Sequence, residues 1–216
     1  MAREFQLIGY LRLLAENDVE YVLVGGVGAR IQGTATTTQD IDIMPEPSAQ
    51  NLDRLAQALT DEETEKKDSG ETRYRPHVTV DSMEFRTADV SSYRTRFGVI
   101  DVLMELPGVG TFEAVKQNVR RYEWEDITIS VASLDDIITS KETADRAKDR
   151  RALDALYEAR DHLREHADPY ELSEQTLNPD QAVARRIGSK HVNSALVGTR
   201  GRLRSVGPGA VAVAVA

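Results

Sequence analysis

The sequence predicts an α/β protein of the α+β type, in which a mixed sheet is flanked by helices. Short apolar runs with strand character, such as residues 20–24 and 40–44, alternate with segments of helical spacing. The composition, with 40% hydrophobic and 29% charged residues, is ordinary for a globular chain. The length of 216 residues suffices for one large or two small domains.

The first sixty residues predict three helices and two strands. Gly25 and Gly26 predict a turn after the first strand, and Ser48 is a residue type that caps helix N-termini. Apolar side chains spaced three to four residues apart indicate the helices, and short apolar runs indicate the strands. The predicted elements are a helix at 3–16, a strand at 20–24, a helix at 27–32, a strand at 40–44 and a helix at 48–59.

The middle of the chain gives weaker signals. Residues 61–71, DEETEKKDSGE, contain no apolar side chain and predict a solvent-exposed helix end and loop. Residues 73–89 have mixed strand and loop signals. Residues 98–105, GVIDVLME, predict a strand that places Asp101 on one face and Ile100 on the other.

The second half predicts a hairpin followed by helices. A short helix is expected at 111–118, antiparallel strands at 120–122 and 127–131, and a longer helix at 147–166. Ser133 with Asp136 three residues later is typical of a helix start. Because regular patterning fades after residue 169, we expect a mobile tail with at most short helices. The predicted divisions are a core at 1–132, a C-terminal helical segment at 133–168 and the tail at 169–216.

Charge and composition exclude several classes of protein. The chain has no cysteine, so disulfides and thiolate metal sites are excluded. No stretch has the length of a membrane span, and the N-terminus has no signal-peptide core, so we expect a cytoplasmic protein without a membrane partner. The net charge is −9 although residues 177–216 hold six basic residues and one acidic residue. The remaining body is therefore strongly acidic, which argues against non-specific coating of nucleic acid.

Two aspartates on one predicted strand are the main functional signal. Asp40 and Asp42 are two residues apart, so their side chains lie on one face of the strand. Neighbouring carboxylates repel each other unless a cation lies between them. If the strand of Asp101 is a neighbour in the same sheet, all three carboxylates can converge. Mg²⁺, or Mn²⁺ in its place, binds carboxylates together with substrate phosphates, so we predict a metal site at these three residues.

Phosphoryl chemistry follows from such a site. One ion would bind a triphosphate and stabilise the leaving pyrophosphate, and a second would activate an acceptor hydroxyl. Asp101 would be the general base for that hydroxyl or a ligand of the second ion. Gly25 and Gly26 would let backbone N–H groups approach the phosphates.

This combination resembles the nucleotidyltransferase superfamily, which shares its minimal fold with polymerase β. The resemblance rests on the glycine pair at 25–26, the Asp-Ile-Asp-Ile run at 40–43 and the later Asp101. It implies transfer of a nucleoside monophosphate from an NTP to an acceptor, with release of pyrophosphate. Many members have Gly-Ser in place of the glycine pair, and an arginine shortly before the aspartates. Here Thr38 is a residue that could supply a hydroxyl contact instead.

A second segment resembles one particular group within this superfamily. Residues 141–155, KETADRAKDRRALDA, resemble the region downstream of the core in the AbiEii/MenT-like toxins and their bacterial relatives. Lys141, Arg146, Lys148 and Asp149 match the lysine and the Arg-x-Lys-Asp cluster of that region. The resemblance implies catalytic roles for Lys141 and Asp149 and nucleotide binding by Arg146 and Lys148. It also implies the tRNA 3′ end as acceptor and a toxin with a cognate antitoxin protein as partner.

Two other readings of the same residues stay open. The acceptor hydroxyl could belong to a protein side chain or to a small molecule such as an antibiotic, because surrounding loops select the acceptor. Alternatively, the fold could serve as a non-catalytic module that binds nucleotide or a partner.

Overall fold

The computed structural model confirms the predicted class, a mixed sheet flanked by helices. The helices that it describes are α1 (Leu7–Glu16), α2 (Gly25–Ile31), α3 (Ala49–Asp61), α4 (Ser82–Thr87), α5 (Phe112–Lys116), α6 (Leu134–Ala144) and α7 (Ala147–Glu165). None of these described helices is both long and apolar enough to cross a membrane. The described residues are 5–35, 37–62, 64–67, 73–165, 202–206 and 213–214.

Most of the described strands join one sheet. They are β1 (Tyr21–Val24), β2 (Asp40–Pro45), β3 (Glu65–Lys67), β4 (Tyr74–Arg75), β5 (Val90–Thr95), β6 (Gly98–Leu103), β9 (Arg120–Trp124), β10 (Ile127–Val131), β11 (Arg202–Val206) and β12 (Val213–Ala214). Their order across the sheet is β12-β11-β9-β10-β1-β2-β6-β5-β3-β4. The β1–β10 and β2–β6 pairs are parallel, whereas β1–β2 and β5–β6 are antiparallel. A separate antiparallel pair contains β7 (Glu105–Leu106) and β8 (Gly110–Thr111).

One face of the central strands is covered by an apolar core. Ile41 and Ile43 of β2 and Ile100 of β6 are fully buried there, together with side chains of α1, α3 and α4. This alternation places every second residue of each strand in the core. Burial of such side chains stabilises the fold by roughly 1.5–3 kcal/mol each. Packing against this core therefore fixes the positions of the strands that carry the acidic residues.

The opposite face is covered by helices over only part of its width. Val22 and Val24 of β1 and Met44 of β2 pack there against a second cluster that contains residues of α5, α6 and α7. Within this cluster a Cβ on Gly28 of α2 would lie 3.3 Å from the Cδ1 of Ile137, so α2 and α6 pack closely. The helices α5–α7 thus cover the β1 side of this face.

Several local predictions are confirmed by hydrogen bonds and strand pairing. Ser48 accepts a hydrogen bond from the Asn51 N–H at the start of α3, and Ser133 accepts one from the Asp136 N–H at the start of α6. The hairpin is present, with Ile127 opposite Trp124 in β9–β10. The glycine pair differs from expectation, because it forms the first turn of α2 rather than a turn before it.

Three segments differ from the sequence-based expectation. The charged run at 61–71 contains the short strand β3, and residues 73–89, with their strand and loop signals, include helix α4. The C-terminal segment, expected to hold at most short helices, contributes β11, which pairs with the edge strand β9, and β12. The backbone N–H and C=O groups of an edge strand are unpaired, so a further strand can add there whether its side chains are polar or apolar. The mobility of the tail and the boundary at residue 168 stay predictions, since residues 166–201 lie outside the described part.

Candidate active site

The three predicted acidic positions lie on one face of two neighbouring strands. Asp42 of β2 and Asp101 of β6 are register partners in the parallel pair, so their backbones are separated by one strand spacing. Asp40 lies on the same face of β2, opposite Val99 of β6. We had expected the three carboxylates to converge if the strands of Asp42 and Asp101 were neighbours. Strands β2 and β6 are neighbours.

The glycine pair holds the carboxylate of Asp42. Gly25 has a φ of +61°, and a Cβ at this position would lie 2.0 Å from Oδ2 of Asp42. The backbone N–H of Gly26 donates a hydrogen bond to Asp42, and a Cβ on Gly26 would lie 2.9 Å from Oγ1 of Thr38. Both positions consequently require glycine, because Asp42 and Thr38 fill the space that side chains would occupy.

The position of Asp42 disfavours its ionisation. Burial raises the pKa of Asp42 to about 7, and the negative charges of Asp40 and Asp101 add to that rise. Lys148 and the Gly26 N–H act in the opposite direction without outweighing it. The same causes, burial first and then Asp40, raise the pKa of Asp101.

Hydrogen-bonding neighbours orient the other two carboxylates. The hydroxyl of Thr38 donates to Oδ1 of Asp40. The hydroxyl of Ser92, opposite Asp101 on β5, hydrogen-bonds the Asp101 carboxylate and lowers its pKa. Thr38, which we expected to contact nucleotide, thus has a partner within the protein.

A divalent cation fits the chemistry of this donor set. Oδ1 of Asp101 is buried and has no hydrogen-bond partner, so it has an unused acceptor lone pair. Burial, and after it repulsion from Asp40 and Asp101, raise the pKa of Asp42, and a bound cation relieves such repulsion. In the described residues, however, no group of three His, Asp or Glu side chains is arranged to hold a metal ion. Asp40, Asp42 and Asp101 therefore stay a proposed ligand set, with two of them turned toward Thr38 and Ser92.

The predicted basic cluster forms an ion-pair centre between α6 and α7. Asp149 is fully buried and accepts hydrogen bonds from Nζ of Lys141 at 3.1 Å and Nε of Arg146 at 2.5 Å. Burial opposes the ionisation of Asp149, but these two bonds outweigh it and hold its pKa below the ordinary value. This geometry fastens the start of α7 to α6, whose C-cap Asp145 has a φ of +45°.

Lys148 is the member of the cluster whose charge acts on the acidic residues. It lies one residue from Asp149 on α7, is exposed, and lowers the pKa of both Asp42 and Asp101. Arg146 uses Nε for Asp149, but 63% of its side chain is exposed, so its terminal nitrogens face solvent. Lys148 and Arg146 are thus accessible to an anionic ligand, whereas Lys141 is largely engaged with Asp149.

Two residues beside the acids were absent from the sequence-based set. Ser92 lies opposite Asp101, and Lys67 lies opposite Ser92 on β3. Neither residue gave a sequence signal. The strand of Ser92 could not be recognised, because the core-facing side chains of β5 are Ser91, Tyr93 and Thr95 rather than an apolar series. Lys67 stands in a charged run, for which solvent exposure is the ordinary explanation.

Comparison with known proteins assigns no family to this chain. No protein-family model and no curated protein matches the chain. Among solved structures, the chain is similar to the lincosamide antibiotic adenylyltransferase LnuA in its lincomycin-bound form. The identity is 17%, the match covers 71% of this chain and 98% of that chain, and the TM-score is 0.49. A likeness at this level assigns neither a family nor a substrate.

Proposed function

We propose that this protein is a nucleotidyltransferase that moves a nucleoside monophosphate from an NTP to an acceptor hydroxyl. The observation that carries the proposal is the in-register pairing of Asp42 with Asp101, with Asp40 on the same face. The close fit of Gly25 around the Asp42 carboxylate supports it, because an ordinary side chain there would displace that carboxylate.

The reaction requires one bond to form and one to break at the α-phosphorus. The acceptor oxygen bonds to the α-phosphorus, the bond from that phosphorus to the bridging oxygen of the β-phosphate breaks, and pyrophosphate leaves. The acceptor proton passes to Asp101, which lies beside Asp42 in the register of β2 and β6. Mg²⁺ held by Asp40, Asp42 and Asp101 would supply charge neutralisation for the phosphates.

The nucleotide would lie on the α7 side of the acids. Lys148 and the terminal nitrogens of Arg146 are accessible there, and both are suited to triphosphate oxygens. Lys141 and Asp149 would act as positioning residues, since their ion pair sets where α7 begins. Loss of that pair would therefore lower nucleotide affinity by displacing Lys148.

The charge of the chain favours a small hydroxyl compound over a polynucleotide as acceptor. Contacts to a nucleic-acid backbone require several accessible cations along a track. The net charge is −9, and residues 177–216 carry more basic than acidic groups, so the body with the site is acidic. Transfer to the tRNA 3′ end by a toxin with an antitoxin partner is the competing assignment, and it predicts a different labelled product.

The test is transfer of label from each α-³²P-NTP with Mg²⁺, using separate reactions with small hydroxyl compounds, total tRNA and protein. We expect label on a small compound with the wild-type protein, and a loss of about 100- to 1,000-fold in Asp42→Asn. The matched control is Asp154→Asn, which removes an exposed carboxylate of α7.

The outcomes separate the readings. Label on RNA would assign the tRNA acceptor, and label on protein would assign a polypeptide acceptor. Equal transfer by the wild type and Asp42→Asn would contradict the proposed site. Absence of Mg²⁺-dependent NTP binding would contradict nucleotidyl transfer altogether.

A further inference from the structure

The line of polar side chains does not end at Asp101. Ser92 of β5 lies directly opposite Asp101, and Lys67 of β3 lies directly opposite Ser92. Residues directly opposite each other on neighbouring strands project from the same face of a sheet. Asp42, Asp101, Ser92 and Lys67 therefore form one row across four adjacent strands.

The cations next to Lys67 are paired within the protein. Its neighbour Lys66 projects from the opposite face and forms an ion pair with Glu84. Arg94, on the same face as Lys67, lies 3.5 Å from Glu65 and stacks 3.7 Å from the ring centre of Tyr74. Lys67 is exposed and, within the described ranges, has no ion pair.

Lys67 and Lys148 lie on opposite sides of the acids. Helices α6 and α7 cover the β1 side of the face, and Lys148 belongs to that side. The strand order places β3 beyond β6, away from β1. Both lysines lower the pKa of Asp101, and Lys67 lies two strands from it in register.

We propose that Lys67 binds an anionic group of the acceptor, so that the acceptor is a small hydroxyl compound carrying a phosphate or a carboxylate. This inference rests on the proposed function. The nucleotide occupies the Lys148 side, and Asp101 receives the proton of the acceptor hydroxyl. The rest of the acceptor then lies over Ser92 and reaches Lys67, whose ammonium would pair with an anion.

A binding experiment tests this assignment without knowledge of the acceptor. The protein is first saturated with Mg²⁺ and α,β-methylene-ATP, whose α–β bridge resists cleavage, so that the nucleotide side is filled. Inorganic phosphate and acetate are then titrated separately, and the backbone amide signals of Lys67 and Ser92 are followed by NMR. The two anions distinguish a phosphate acceptor from a carboxylate acceptor.

Lys67→Gln is compared with Lys66→Gln, which makes the same change of charge one residue away on the other face. We expect about tenfold weaker anion binding in Lys67→Gln and wild-type binding in Lys66→Gln, since one charge-assisted hydrogen bond is lost. Failure of both anions to bind the nucleotide-saturated wild type, or equal binding by the two variants, would overturn the inference. Failure of α,β-methylene-ATP itself to bind with Mg²⁺ would instead overturn the proposed function.

Discussion

The two faces of the β2–β6 pair have opposite environments. On one face Ile41, Ile43 and Ile100 are fully buried among helices α1, α3 and α4. On the other face the alternate residues Asp42 and Asp101 lie side by side, partly open to solvent. Adjacent residues of the same strand thus differ completely in environment, because successive side chains point to opposite faces.

This difference shows how the protein tolerates a group of carboxylates that destabilises its fold. Burial of the Asp42 carboxylate, and after it repulsion from Asp40 and Asp101, raise the pKa of Asp42 and the free energy of the folded protein in which Asp42 is ionised. The apolar core behind the same strands offsets it. The comparison predicts that substitutions on the core face change stability, whereas substitutions on the acidic face change activity and can increase stability.

The largest effect on stability is expected from Ile43→Ala. Removal of a fully buried side chain leaves a cavity and lowers the free energy of unfolding by roughly 2–5 kcal/mol. Denaturant unfolding measures this change, and the labelled transfer assay measures kcat under conditions where the variant is folded. We expect kcat to stay within a factor of about two of wild type. A large loss of kcat in the folded variant would contradict the expectation that the core face determines stability and the acidic face determines activity.

Gly25→Ala tests the contact between the glycine turn and the acidic face. The φ of +61° disfavours alanine by about 1–2 kcal/mol, and its Cβ would also displace the Asp42 carboxylate. Gly33→Ala is the control, because Gly33 has a φ of +98° but a Cβ there meets nothing within 4 Å. Both variants should lose stability, and Gly25→Ala alone should lose transfer activity. Equal activity of the two variants would show that Asp42 does not depend on this turn.

Asp42→Asn should stabilise the metal-free protein at high pH. The pKa of Asp42 is raised to about 7 on folding, so the folded state binds the proton more tightly than the unfolded state. The associated stability is present below pH 4 and is lost as the pH rises through 7. Asparagine avoids that loss, so the variant should gain up to about 4 kcal/mol at pH 8 and nothing at pH 4.

Thermal unfolding at both pH values, with EDTA present, measures this difference, and Asp154→Asn supplies the baseline for an exposed carboxylate. Added Mg²⁺ should narrow the gap at pH 8 by stabilising the wild type. A variant that is less stable than wild type at pH 8 without metal would contradict the repulsion described for the acidic face.

The arrangement of the central part of the candidate site was predictable from the sequence because local rules determine it. The spacing of Asp40 and Asp42 sets their common face, and the glycine pair marks the adjacent turn. Ser133 and its helix start were predictable for the same reason, since a cap depends on residues three positions apart. The contrast between an apolar face and an acidic face is therefore already contained in the Asp-Ile-Asp-Ile pattern.

The other side of the site was not predictable, because it depends on pairing between distant segments. Lys67 reaches the acids only through β5, and β3 is a three-residue strand within a charged run. Nothing local distinguishes Lys67 from Lys66, although the register sends them to opposite faces.

The most direct test of the account is calorimetric binding of α,β-methylene-ATP to the wild type and to Asp42→Asn, each with and without Mg²⁺. The account predicts binding by the wild type that requires Mg²⁺, and loss of that binding in the variant. Binding of equal strength in the absence of Mg²⁺, or in Asp42→Asn, would show that the paired aspartates of β2 and β6 are not a metal-dependent nucleotide site.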